Sequence, residues 1–161
     1  MFRRLLRWVG GALFFAAGAG VVFVRLVGHD PARWHRDPAT IELTGKPNEY
    51  LAAPPGSVEA LAHAETRVYP VSPRELLARF DAIVRAQPRA EKIAGSLDEL
   101  MITYVQRSAL VGFPDYITVR AIERPGGAGL IIFSRSRFGH GDFGVNQTRV
   151  DDWIAELDRQ R

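Results

Sequence analysis

The chain has 161 residues, 47% of them hydrophobic and 24% charged, which suits one folded domain with a short additional segment and is too apolar for global disorder. It contains no cysteine, so disulfides, thiolate metal sites and a cysteine nucleophile are excluded. The formal charge of +3 comes from the N-terminal segment: without Arg3, Arg4, Arg7 and Arg25, 17 basic residues face 18 acidic ones, a balance lacking the electrostatic footprint of a nucleic-acid binder.

Residues 8–24 carry no ionic side chain. As a helix this run would span about 25 Å, the short end of what crosses a hydrocarbon core. Arg25 can snorkel while Leu26 and Val27 extend it. The expected division is a cytoplasmic N-terminus over 1–7, a transmembrane anchor over 8–27 and a connector over 28–65. Arg3, Arg4 and Arg7 favour keeping the N-terminus inside, which puts the rest on the periplasmic side of the inner membrane. The alternative is a signal peptide cleaved near Ala19, after which the protein is secreted.

Pro31, Pro38, Pro47, Pro54 and Pro55 mark the connector as extended. Trp34, Ile41, Leu43, Tyr50 and Leu51 are too apolar for a solvated linker, so part of it is expected against the domain. A short helix over 57–63 capped by Ser57 is expected. His35 and Asp37 have too few ligand types nearby for a metal, and no cofactor is expected.

Residues 66–161 read as an α+β domain. A strand is expected over 66–71. A helix begins at Ser72-Pro73-Arg74-Glu75, a capping box with Pro at its first position, and Leu76, Leu77, Phe80, Ile83 and Val84 form its apolar face. Strands follow over 89–95, 99–108, 115–123 and 130–137, the second covered on both faces and the third with one wet face. Pro125-Gly126-Gly127 turns the chain between the last two. A final helix carries Val150, Trp153, Ile154 and Leu157 on one face, with Asn146 as its expected N-cap. The order β-α-β-β-β-β-α predicts an antiparallel sheet of about five strands with two helices on one face.

The most informative run is 134–149. Arg137, Gly139, Asp142, Gly144, Asn146 and Arg149 follow one another at fixed spacing, preceded by Arg135 and Ser136 and followed by the final helix. In this run the chain resembles the DUF1499 family, whose segment reads close to R-S-x-S-R-x-G-x-x-D-x-G-x-N-x-x-R, although the serine–arginine order before Arg137 is shifted. Upstream, Gly112-Phe113-Pro114-Asp115 resembles the family's Asp-containing strand entry and Pro47-Asn48 its Pro-Asn element. The resemblance covers roughly residues 45–158. It implies bacterial and plastid relatives, often membrane-attached, and implies no activity.

Read from chemistry alone, strand alternation puts Arg135 and Arg137 on one face and Ser134 and Ser136 on the other. Arg149 lies on the first turn of the final helix, where a cation is unfavourable unless an anion is close, and Asp142 or Asp115 can supply one. One reading is an Arg–Asp network pinning the strand–turn–helix corner. A second is an anion site in which Arg135, Arg137, Arg149 and Asn146 hold a phosphate, carboxylate or lipid headgroup. A third, weaker one is a hydrolase using Ser136, His140 and Asp142, which are crowded into a few residues. The function expected is a non-catalytic binding or assembly module of the cell envelope, with the membrane, an envelope protein or an anionic small molecule or lipid as partner, and no nucleic acid.

Overall fold

The structure is a computed structural model and describes residues 18–160. Helix α1 occupies 18–26 of the described residues. It is followed by α2 (Pro31–Trp34), β1 (Glu49–Ala53), β2 (Ala64–Glu65), α3 (Pro73–Arg85), β3 (Ala90–Ser96), β4 (Met101–Arg107), β5 (Pro114–Arg124), β6 (Gly127–Ser136) and α4 (Val145–Arg159). The strands form one six-stranded sheet in the order β2-β1-β6-β5-β4-β3. All pairings are antiparallel except β1 with β2.

The capping sequence sets the start of α3: Ser72 Oγ accepts from the Glu75 amide at 3.2 Å with Pro73 at the first helical position. The Glu75 carboxylate turns outward to Arg79 at 2.6 Å. Leu76, Leu77, Phe80, Ile83 and Val84 are all buried, each such side chain contributing roughly 1.5–3 kcal/mol of transfer free energy. They meet Ile102, Tyr104, Ile117, Val119 and Ile132 of the sheet and Val150, Trp153 and Leu157 of α4. Both long helices therefore cover one face.

The other face is covered too, by the segment expected as a connector. Ala39, Ile41, Leu43 and Val58 pack on Leu51, Ala53, Ile131 and Phe133. Trp34 stacks flat on Tyr116, centroids 3.7 Å apart. The expected wet face of β5 is thus corrected: the strand is buried continuously from Pro114 to Val119, because the connector shields it.

Three further expectations are corrected. The sheet has six strands, since β1 and β2 come from the proline-rich region; β1 is buried at every residue and carries no alternation for a sequence pattern to reveal. Residues 66–71 form no strand beyond a bridge of Tyr69 to Ala128, made by amide–carbonyl bonds of 2.8 and 2.9 Å. The Val71 amide turns back onto Tyr69 O at 2.8 Å, so the pairing goes no further. Residues 57–63 form no helix; Ser57 Oγ donates to Pro54 O at 2.6 Å and closes a turn instead.

Among the described residues no helix is long and apolar enough to cross a membrane. Of the anchor expected over 8–27, residues 8–17 lie outside the described residues, while Ala19, near the expected cleavage, lies in α1.

Candidate functional site

The segment leaving β6 reaches α4 through a turn whose polar side chains converge on the helix-covered side of the sheet. Gly144, in the left-handed conformation at φ 78°, is the N-cap of α4 and has no side chain to offer. Asp142 supplies the missing acceptor. Its Oδ1 accepts from the Gly144 amide at 3.0 Å and its Oδ2 from the Asn146 amide at 2.8 Å, satisfying amides that the helix start leaves free. The expected cap at Asn146 is therefore corrected: Asn146 lies inside the first turn, 1% exposed.

Asn146 is the hub of the corner. Its Oδ1 accepts from Ser134 Oγ and from Arg149 Nη1. Its Nδ2 approaches Asn48 O, Ser136 Oγ and Asp142 Oδ2 at 3.1, 3.0 and 2.6 Å. Asn48 Nδ2 in turn donates to Gly139 O at 2.9 Å, tying the Pro-Asn element to the glycine turn. Arg149 is enclosed: Nε donates to Gln106 Oε1 at 2.6 Å, Nη1 to Ser134 Oγ at 3.1 Å and Nη2 to Asp115 Oδ2 at 2.7 Å. The Arg149–Asp115 pair has side-chain exposures of 8% and 11%. Of the two anions considered from sequence, Asp115 is the partner of Arg149.

Arg135 and Arg137 project from the opposite face, as the alternation required. The Arg135 guanidinium lies 5.3 Å from the Trp34 ring and 4.7 Å from the Phe133 ring, with Nη2 donating to Trp34 O at 2.9 Å. Its Nη1 is buried and has no hydrogen-bond partner among the described residues. Burial, followed by the nearby Arg36 charge, lowers its pKa to about 10. Arg137 Nη1 donates to Gly28 O at 2.8 Å and to the Tyr116 hydroxyl at 3.1 Å. The convergence of Arg135 and Arg137 with Arg149 and Asn146 is corrected accordingly, because the sheet separates the first two from the last two.

A cleft of about 300 Å³ opens beside the corner, lined by Pro47, Glu49, Tyr50, His63, Asp142 and Asn146 among others. Its acceptors are already engaged. Glu49 accepts from Thr44 Oγ1 at 3.1 Å and the Gly45 amide at 2.8 Å, and His63 Nδ1 accepts from the Leu51 amide at 3.0 Å. With Glu49 and Asp142 on its wall it is an acidic cleft, unsuited to an anion. Ser136 is tied to Asn146, His140 is exposed, and no hydrogen bond joins the two among the described residues. No group of His, Asp and Glu among the described residues could hold a metal ion.

Sequence reasoning missed a second cluster. On the connector side, Arg107 Nη2 donates to His29 Nε2 at 3.0 Å, and His29 Nδ1 lies 2.8 Å from the Tyr116 hydroxyl. Because a guanidinium only donates, His29 accepts at Nε2 and donates from Nδ1, the neutral tautomer. Burial first, and the Arg107 charge next, lower the His29 pKa accordingly. Trp34 was the available signal; Arg107 and His29 carried none.

The sequence model of a family described as "Protein of unknown function (DUF1499)" matches residues 42–157. No curated protein and no solved structure matches the chain.

Proposed function

The chain belongs to the DUF1499 family, and from that premise we propose that it is a non-catalytic binding or assembly module, tethered to the inner membrane by its N-terminal segment with the domain on the periplasmic side. The single observation carrying this reading is that the signature side chains face inward. Asp115, Ser134, Asp142, Asn146 and Arg149 bond to one another and to the backbone. A catalytic group needs a free reactive atom within reach of a substrate, and an anion site needs accessible unengaged donors, whereas the unpartnered Arg135 Nη1 is buried on the opposite face of the sheet. The signature thus supports a corner that fixes how β6, β1 and α4 meet, and leaves function to the surfaces so positioned.

The uncharged run over 8–24, led by Arg3, Arg4 and Arg7, supports the tether and its direction. Crosslinking of the full chain in cells, followed by mass spectrometry, should recover one envelope neighbour in near-stoichiometric yield. Recovery of abundant bystanders alone would sink the assembly reading.

A further inference from the structure

Helix α1 is gripped by the domain where its carbonyls would otherwise be free. Arg107 Nη1 donates to Val24 O at 2.9 Å and to Gly112 O at 3.0 Å, and its Nη2 donates to Val27 O at 3.2 Å. Arg137 takes Gly28 O at 2.8 Å. Arg25 reaches back to Leu110 O at 2.8 Å and Val111 O at 3.2 Å. Guanidinium groups at a helix C-terminus satisfy the last carbonyls and complement the helix dipole. The path of the chain into the domain is consequently fixed at one end of the sheet, where β4 and β6 finish and β5 begins.

That same end displays apolar side chains to solvent. Val22, Phe23 and Leu26 of α1 are 55%, 62% and 77% exposed, and Leu110 in the loop that Arg25 holds is 87% exposed. Phe113, 43% exposed, follows in that loop. Phe143, in the loop after β6, is fully exposed and has a left-handed backbone at φ 57°. A bulky residue in that conformation with its ring in water is doubly unfavourable, and no ring contact among the described residues offsets it. Residues 18–24 of α1 belong to the uncharged run over 8–24.

We propose that this end of the domain rests in the headgroup region of a lipid bilayer, with Leu110, Phe113 and Phe143 inserted beside α1. The domain then lies against the membrane in one orientation and does not swing on a linker. Apolar loop tips clamped to an apolar helix by Arg25 suit the boundary between headgroups and acyl chains. The proposal rests on the tether of the preceding subsection.

The absence of cysteine makes the test direct. Full-length Leu110→Cys, Phe143→Cys and Val68→Cys variants are labelled with an environment-sensitive fluorophore. Each is reconstituted in phosphatidylcholine–phosphatidylglycerol vesicles carrying a nitroxide lipid. Val68, beside the Tyr69–Ala128 bridge at the opposite end of β6, is the control. All three should float with the vesicles, and the labels at 110 and 143 should be blue-shifted and quenched several-fold more than the one at 68. Flotation with all three labels equally wet overturns the docking and leaves the tether standing. Failure to float overturns both.

Discussion

The ion pair between Arg149 and Asp115 shows how much a single buried side chain can carry. Arg149→Ala would leave Asp115 without its counter-charge and remove donors from Ser134, Asn146 and Gln106. Breaking a buried pair from one side costs about 3–5 kcal/mol. We expect urea unfolding of the full chain in detergent to show a loss of that order, and a loss under 1 kcal/mol would mean the corner is not pinned as described. The need for an anion near Arg149 was legible in the sequence, because a cation on a helix's first turn conflicts with the dipole. The role of Asn146 was not. An asparagine ahead of an apolar periodic run looks like a cap, and only the left-handed Gly144 with Asp142 behind it moves the cap upstream and frees the amide to be a hub.

At the level of elements, one device recurs: a sheet-side tyrosine donates to a carboxylate on a helix. Tyr50 of β1 bonds Asp151 of α4 at 3.1 Å, Tyr69 bonds Asp158 of α4 at 2.7 Å, and Tyr104 of β4 bonds Asp81 of α3 at 2.8 Å. Burial first, and the bonded carboxylate second, raise all three hydroxyl pKa values, Tyr50 to about 12. The folded chain therefore holds protons that the unfolded chain has released, so this contribution is whole below pH 10 and is lost as pH rises through about 12. A urea midpoint that falls between these values, and falls less in Tyr50→Phe, is the expected result; an unchanged slope would count against the tyrosine bonds. Helix α3 was legible because its cap, proline and apolar spacing agree with one another. Strand β1 was hidden because it is short, flanked by prolines and buried on both faces, so neither length nor alternation announces it.

Across the whole molecule, the sheet is sandwiched between two helices and an N-terminal segment, and α1 is part of the folded unit through the arginine contacts. His29 sits at that junction, facing Arg107 and Arg137 with Glu91 nearby. Its pKa is lowered from 6.5, by burial and then by Arg107, so the unfolded chain takes up a proton that the folded chain resists. Stability then falls as pH drops below 6.5. The decline in the urea midpoint between about pH 7 and 5 should be smaller in His29→Gln, whose amide cannot titrate; an identical decline would remove His29 from the account. The two sheet edges bear on how copies of the chain meet. β2 spans only Ala64–Glu65, and β3 presents Glu91 and Lys92 with a bulge between Lys92 and Ala94. A brief edge on one side and a charged, kinked one on the other give a neighbouring copy no straight ladder to extend. Copies held at high lateral density on a bilayer would accordingly resist polymerising strand to strand.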